Sequence, residues 1–412
     1  MLLFGSGRHC RGFSNLSKAA AVNINVAISG AGSQVSGATQ SGALSTTLQV
    51  LEHAQSAEAL PVVSVALAIP AGARWSKDPL GISAAIYKQA LLTRPSASHS
   101  RLAWCREAQL RGGPVGITLT RNHLVLESHI HARFLPDVLS LFSGLLRGSL
   151  EMEEWMLAGE IAEKAQLDRE LGEADARGHL LDIAHRVAYR SQGLGNPLWA
   201  PSGVDMKAMK AWLADFHDQA TSRAGSQLLV LVNRKDEVIR HEQLQSLVQS
   251  QFNLLPQHHR ADVPNEQYYG GEARVFNAHR EGALLAFPAV ASAGQALLLK
   301  HSLLRDAKIS AEPVISEGLF GLYLRDPTQL PRVVGKLRAF TGAVSRAARA
   351  ATALEMHAET RRERLLSALC GLEGRDVPET DAKIAGVDLS RMTLVVEGPN
   401  QRKYPYLSDL QL

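Results

Sequence analysis

The chain has few cysteines and no long apolar run, and both features exclude certain classes of protein. Only three cysteines occur in 412 residues, Cys10, Cys105 and Cys370, and none belongs to a Cys-x-x-Cys pair. This spacing argues against a disulfide framework and against a zinc knuckle, and it favours a reducing compartment. The clearest apolar stretches, Val62 to Ile69 and Leu228 to Val232, have the length of strands, whereas a bilayer-spanning helix needs about 20 residues. We therefore expect a protein that is soluble or peripheral to a membrane.

Acidic residues are missing from the first 51 positions, where Arg8, Arg11 and Lys18 supply positive charge among Ser, Gly and Ala. This composition is typical of a mitochondrial transit peptide, which is basic, poor in acids and able to form an amphipathic helix. A disordered tail rich in Ser and Gly is the alternative. The pattern predicts a targeting or disordered leader over residues 1–40.

The overall composition is that of a folded protein, with 45% hydrophobic and 20% charged residues. The net charge is only +4, and no basic stripe is interleaved with aromatic residues, so we expect no nucleic-acid partner. One basic helical stretch, from Pro331 to Leu354, has no acid between Asp326 and Glu355. It could contact anionic lipid headgroups or an acidic partner, or it could be a solvated helix face. Its cations are Arg332, Lys336, Arg338, Arg346 and Arg349.

Two similar successions of strands and helices predict two tandem domains of one ancestry. The first succession contains strands at 44–51, 61–69 and 227–232, a hairpin at 114–130, and helices at 82–92, 101–110, 135–145, 151–171, 178–189, 206–216 and 242–252. The polar segment at 255–271 shows neither the strand nor the helix spacing of apolar residues, and we predict that it is a linker. The second succession is shorter, with strands at 273–276, 282–290, 318–324 and 392–397 and a helix at 293–304. We expect α+β domains at 41–254 and 272–412, each a mixed sheet flanked by helices.

The stretch from Ile69 to Leu92 reads as a strand, a turn and a helix. Apolar alternation ends at Ile69, several turn-forming residues follow, and helical spacing resumes at Ile82. Its turn, Ala71 to Arg74, and its helix start, Leu80 to Ser83, resemble the corresponding segment of the pitrilysin-like (inverzincin) metallopeptidases. In that family a His-x-x-Glu-His motif follows, with two imidazoles that hold zinc and a carboxylate that activates water.

The resemblance implies that the zinc-ligand and base positions of this chain are Ala84, Tyr87 and Lys88. A methyl group cannot ligate, a phenol is a poor base at neutral pH, and an ammonium group repels a dication. Glu160 and Glu163 on the later helix are at a plausible spacing for a third ligand, but without the histidines we expect ordinary helix carboxylates. No other His-x-x-Glu-His or inverse motif occurs. We predict no catalytic residue, no metal and no cofactor.

Two further pairs of histidines are of the residue type that binds metals. His129 and His131 alternate on one strand face without an evident third ligand, and His258 and His259 are adjacent in the polar linker. Both pairs are expected to be structural or solvated, because a metal site needs at least three converging ligands.

Further stretches extend the resemblance over most of the chain beyond the leader. They are Ala188 to Arg190, Gly195 to Trp199, Tyr269 to Glu272, Ser316 to Tyr323, Val396 to Gly398 and Pro405 to Leu410. In this order they resemble the second-core-protein family of mitochondrial ubiquinol-cytochrome c reductase, which consists of non-catalytic pitrilysin-like proteins. Relative to that pattern the second half, from about Gly271, is short.

The resemblance implies a structural subunit of respiratory complex III on the matrix side of the inner membrane. It also implies four kinds of partner: a first-core-protein homologue, cytochrome b, the Rieske iron-sulfur subunit and a second copy in the dimeric complex. The alternative is the non-catalytic subunit of the mitochondrial processing peptidase. That alternative is disfavoured because Ala289 to Gln295 has one glycine where the substrate loop of that subunit has several.

Overall fold

A computed structural model describes the parts of the chain that form its two sheets and the helices around them. The described residues are 45–50, 62–93, 100–171 except 112, 175–221, 226–232, 241–255 except 254, 266–288, 310–339 and 388–411, with the isolated positions 298, 301–302, 348 and 352. The predicted leader, the His258 and His259 pair, most of the predicted helix at 293–304, and Arg346 and Arg349 lie outside these residues.

The first sheet contains five strands. They are β1 Ser45–Val50, β2 Val62–Ile69, β3 Gly116–Leu119, β4 Leu124–His131 and β5 Gln227–Val232. Their order is β1-β5-β2-β4-β3, in which β1 and β5 are parallel and every other pair is antiparallel. Strand β2 is central and buried almost throughout, which explains its nearly continuous apolar sequence.

Seven described helices belong to the first half of the chain. They are α1 Ser83–Thr93, α2 Arg101–Leu110, α3 Leu135–Leu146, α4 Met152–Leu171, α5 Ala176–Ala188, α6 Met206–Ala220 and α7 His241–Phe252. Helix α1 packs on α4 and α6, whereas α3 packs on β2, β4 and α7. The core between these helices and the sheet includes Leu67, Ile86, Phe142 and Leu213, which are all buried. Among the described helices none is long and apolar enough to cross a membrane.

The second sheet repeats the topology of the first. Its strands are β6 Gly271–Phe276, β7 Gly282–Pro288, β8 Ala311–Ser316, β9 Leu319–Leu324 and β10 Thr393–Gly398. Their order is β6-β10-β7-β9-β8, again with the parallel pair, β6 and β10, at one edge. Helices α8 Leu330–Arg338 and α9 Leu407–Gln411 pack against this sheet. The identical order and direction of the strands support the prediction of two tandem α+β domains.

Two features of the fold differ from the sequence prediction. Strand β8 was not predicted because Pro313 and polar neighbours interrupt its pattern, but β8 is an edge strand, where proline is tolerated. Helix α5 lies in the first half of the chain but packs on the second sheet. Its apolar stripe of Leu180, Ala184 and Ala188 is buried against side chains of that sheet, including Leu284. Helical spacing predicts such a stripe but not the sheet that covers it.

Candidate functional site

The turn before α1 is held by side chains that satisfy the first N–H groups of the helix. Asp78 accepts hydrogen bonds from the main-chain N–H groups of Leu80, Ile82 and Ser83 at 3.0, 3.1 and 2.9 Å. Ser76 Oγ accepts from the N–H of the next residue, Ala84, at 3.0 Å. These N–H groups have no partner within a helix, so the two side chains fix where α1 begins.

Tyr87, which the resemblance assigns to the position of the family's catalytic carboxylate, is a core side chain of the helical layer. It is fully buried, and its ring centroid lies 6.1 Å from that of Trp155, 5.6 Å from that of Phe216 and 5.5 Å from that of His217. His217 Nε2 donates to the carbonyl oxygen of Gly148 at 2.8 Å, and its Nδ1 lies 3.3 Å from the Tyr87 hydroxyl oxygen, within hydrogen-bond distance. The phenol therefore packs and hydrogen-bonds where a peptidase would hold its base.

Lys88, which the resemblance assigns to the position of the second zinc ligand, lies against an aromatic ring. Its Nζ is 5.2 Å from the ring centroid of Trp199, and the guanidinium carbon of Arg169 is 4.5 Å from the same centroid. Burial, together with the positive charges of Arg121 and Arg280, lowers the pKa of Arg169 below its ordinary value. A dication would therefore enter a region that already holds two cations around one indole.

The remaining predicted ligand candidates lie apart from one another. Glu160 on α4 is exposed and Glu163 is half-buried. His129 Nδ1 lies 2.8 Å from Ser64 Oγ, whereas His131 Nδ1 accepts from the N–H of Arg133 at 3.3 Å. Within the described part of the chain, no three His, Cys, Asp or Glu side chains converge. The absence of a metal site stays a prediction.

A second constellation lies where the two domains meet, and Glu317 is at its centre. Glu317 follows β8 in the second domain and is 8% exposed. Its carboxylate accepts from the Thr120 hydroxyl and from the N–H of Arg121, both at 2.8 Å, and from the N–H of Asn122 at 3.4 Å. These three donors form the turn between β3 and β4, so one carboxylate from the second domain holds a turn of the first.

The guanidinium group of Arg121 extends this junction to helix α5 and to the segment that contains Asn196. The side chain is 1% exposed, and its Nη2 lies 2.6 Å from Asp182 Oδ1 on α5. Its Nη1 donates to the carbonyl oxygen of Asn196. The Asn196 amide donates to the carbonyl oxygens of Ala73 and Ser76, both at 3.0 Å. This buried charge pair is bonded to neighbouring elements through both terminal nitrogens of Arg121, which offsets much of the cost of burying the charge, whereas the buried Arg121 Nε has no hydrogen-bond partner among the described residues.

Close approach at the junction also requires a glycine at the start of α1. Gly81 has φ of +70°, and a Cβ there would lie 2.5 Å from Asn196 Oδ1. A side chain at position 81 would therefore be strained and would displace the asparagine that links the turn before α1 to Arg121.

Two more contacts join the first half of the chain to the linker and to the second domain. Arg74 of the first turn forms a two-pronged ion pair with Glu266, with N···O distances of 3.2 and 2.9 Å. Burial raises the pKa of Glu266, an effect that Arg74 opposes. The Tyr189 hydroxyl donates to the carbonyl oxygen of Gly318 at 2.7 Å, and burial raises the pKa of Tyr189 to about 12.

His185, one turn before Tyr189, is completely buried at the same junction. Its Nε2 lies 3.0 Å from Ser316 Oγ. Burial, assisted by the nearby positive charge of Arg121, lowers the pKa of His185 well below its ordinary value. The imidazole is therefore neutral in the folded protein at neutral pH.

The junction, more than the degenerate metal position, collects the residues that carry the family resemblance. The segments Ala71 to Arg74, Gly195 to Trp199 and Ser316 to Tyr323 all contribute bonds described above. The family resemblance marks these segments, but the sequence pattern does not place Arg121 and Asp182 beside them. Arg121 lies in a polar hairpin turn, and the only signal for Asp182 is a charge within the apolar stretch of α5.

Comparisons with known proteins identify relatives of two kinds, although no family model matches the chain. The chain is similar to the protein named cytochrome b-c1 complex subunit 2, mitochondrial, of Schizosaccharomyces pombe, with 25% identity over 249 residues, 60% of this chain and 55% of the relative. It is also similar to the protein of the same name from Yarrowia lipolytica, with 27% identity over 229 residues, 55% of this chain and 52% of the relative. The chain thus spans about half the length of the curated relatives it matches.

A solved structure has the same fold. It is an inactive peptidase M16 domain from Pseudomonas fluorescens, with a TM-score of 0.66 and 12% sequence identity over 87% of this chain and 97% of that one. At this identity the likeness concerns the fold. It confirms the predicted pitrilysin-like architecture, and the chain is thus a homologue of proteins named cytochrome b-c1 complex subunit 2, built on the fold of the M16 peptidases.

Proposed function

We propose that this chain is a non-catalytic core subunit of mitochondrial respiratory complex III, ubiquinol-cytochrome c reductase. The observation that carries the proposal is the similarity to relatives from four fungi that share the name cytochrome b-c1 complex subunit 2, mitochondrial. The shared fold is the expected scaffold of such a subunit.

The geometry at α1 supports the non-catalytic part of the proposal. Metallopeptidase chemistry needs a zinc-bound water and a carboxylate base beside it. The base position holds Tyr87, packed among Trp155, Phe216 and His217, and the ligand positions hold Ala84 and Lys88. These side chains provide neither a ligand set for zinc nor a carboxylate base, so a structural role accounts for the scaffold better than peptide hydrolysis does.

Surface features support permanent partners. Large apolar side chains are exposed at several positions of the helices in the first half, and obligate interfaces are rich in such residues. They are Leu102, Leu110, Met156, Leu157, Leu167 and Trp212. We infer that a first-core-protein homologue, cytochrome b, the Rieske iron-sulfur subunit and a second copy of the chain cover such surface. The subunit would lie on the matrix side of the inner membrane.

The basic helix α8 is the candidate for lipid contact. Arg332 is exposed, whereas the Arg338 guanidinium already donates to the carbonyl oxygen of Leu410 at 2.5 Å. Only part of the basic stretch is therefore available to anionic headgroups.

The proposal is tested by depleting the protein in its own organism and assaying mitochondria. Depletion should abolish antimycin-sensitive reduction of cytochrome c by ubiquinol, while succinate dehydrogenase activity, as the internal control, persists. In native gels the tagged chain should migrate with cytochrome b and the Rieske subunit. If the chain runs as a stable monomer and cytochrome c reduction survives, the assignment is wrong. If precursor processing fails while cytochrome c reduction persists, the chain is a processing-peptidase subunit instead.

A further inference from the structure

A cavity of about 710 Å³ lies between helix α5 and strand β6, and none of the described residues that line it belongs to α1 or to the Glu317 junction. Its apolar wall consists of Ile183 and Val187 on α5 with Val275 and Phe276 at the end of β6. Its polar wall includes Arg186 and His279. The volume is within the usual range for ligand-binding pockets, and the charged and apolar walls face a shared space.

The cavity runs along the outer edge of the second sheet. Strand β6 ends the strand order of that sheet, and among the described residues its sole strand neighbour is β10. Val275 and Phe276 at the end of β6 line the cavity together with the turn that follows, Asn277 to His279. The cavity therefore borders the end of this edge strand.

The main chain of β6 presents hydrogen-bonding groups at this edge. The N–H groups of Gly271 and Asn277 both bond to β10, to the carbonyl oxygens of Met392 and Gly398 at 3.4 and 3.2 Å. Because N–H groups alternate in direction along a strand, the N–H of Phe276 points away from β10. The Phe276 side chain is also 68% exposed. Such an edge is a template for an additional strand.

The charges at the cavity favour an acidic occupant. Among the described residues that line the cavity, Glu397 is the sole acid. Its carboxylate is buried and already bonded to Arg280 Nε and Asn277 Nδ2, both at 2.8 Å. Arg186 and His279 are exposed at the opening. An incoming carboxylate would therefore meet the positive charge of Arg186 and an imidazole, that of His279, which can donate a hydrogen bond, beside an apolar floor.

We propose that the outer edge of β6, together with helix α5, binds an extended acidic segment of a partner polypeptide as an added strand. The main chain of the segment would bond to β6 around Phe276. Its apolar side chains would pack on Ile183 and Val275, and its carboxylates would pair with Arg186 and His279. The proposal rests on this edge alone and is independent of membership in complex III.

A fluorescence-anisotropy titration of the purified full chain tests the proposal. The probe is a labelled peptide of about eight residues, an ordinary strand length, that alternates valine with glutamate. Two companion peptides replace glutamate with lysine or place proline at the central positions. The acidic peptide should bind, and both companions should bind at least about tenfold more weakly. Arg186→Glu and Phe276→Asp should each weaken binding of the acidic peptide about tenfold, whereas Arg332→Glu, an exposed charge reversal on α8, should not.

Three outcomes would overturn the proposal. The first is no binding of the acidic peptide at millimolar concentration. The second is equal binding of the lysine or proline peptide, which would show attraction without charge selection or without strand addition. The third is unchanged binding in both cavity variants. Because Arg186 and Phe276 are exposed, the melting temperatures of these variants should equal that of the wild type, which separates lost binding from unfolding.

Discussion

Replacement of Glu317 by glutamine should weaken the junction between the domains more than its small change in volume suggests. The carboxylate accepts three hydrogen bonds from the β3–β4 turn, and its Oε2 is the acceptor for the N–H of Arg121. Glutamine keeps one acceptor oxygen and presents an NH2 group to that N–H. One charge-assisted bond, about 1.5–3 kcal/mol, is lost, and the other two become weaker neutral bonds. We expect Glu317→Gln to cost about 3 kcal/mol of unfolding free energy.

Urea unfolding followed by tryptophan fluorescence measures this cost, with Glu312→Gln as the matched control. Glu312 lies on β8 as well, but its side chain is 43% exposed, and its ion pairs with Arg177 and Arg325 have N···O distances of 3.9 and 3.4 Å. Exposed pairs of this kind contribute less than about 1 kcal/mol. The Glu317 variant should therefore unfold at a clearly lower urea concentration. The first sign of the weaker junction should be a separate unfolding transition of one domain. Equal midpoints for the two variants would refute the reasoning.

Three further predictions concern the metal position, the junction histidine and the leader. The pure protein should contain no stoichiometric zinc in a metal analysis and should cleave no presequence peptide. The substitution Tyr87→Glu alone should restore neither zinc binding nor cleavage. Hydrolysis of the peptide that a chelator inhibits would contradict this prediction. Because the folded pKa of His185 is lowered, the unfolded chain binds the extra proton, so stability should fall by about 1.4 kcal/mol per pH unit below about pH 6.5. His185→Gln should flatten that slope in urea titrations at several pH values. Arg8, Arg11 and Lys18 changed together to Glu should abolish mitochondrial import, and unchanged localisation would leave the disordered-tail interpretation.

Much of the fold was predictable because its strands and helices have clear periods. Strand Gln227–Val232 and helix Met152–Leu171 lie within a residue of the predicted bounds. Hairpin strands β3 and β4 flank the predicted turn at Thr120. The helix predicted to end at Phe216 continues to Ala220, since nothing in that last turn breaks a helix. A local sequence pattern predicts a strand or helix well when the residues of that element alone determine its structure.

The junction could not be predicted in the same way. Arg121 is separated from Glu317 by 196 positions and from Asp182 by 61. The sequence shows an arginine in a hairpin turn and a glutamate after an edge strand, and either would ordinarily be solvated. Only the packing of α5 on the second sheet brings them into one buried network, and periodicity does not specify that packing.

The geometry explains how the chain can lose peptidase chemistry and keep the peptidase fold. At α1 the exchanged positions are self-contained: Ala84 and Tyr87 are buried among helices of one domain, so apolar packing can replace ligation there without disturbing the sheet. The junction is different because its groups satisfy partners on separate elements: Glu317 of the second domain bonds the β3–β4 turn, and Arg121 of that turn bonds Asp182 on α5, the helix that packs on the second sheet. Loss of Glu317 leaves the N–H of Arg121 buried without its partner, and loss of Asp182 leaves the guanidinium charge of Arg121 uncompensated. The proposed role, in which the chain presents two domains to its partners in a fixed orientation, would depend on these bonds. The free energy that orients the domains therefore lies at the junction, where a single isosteric change should be felt by both sheets.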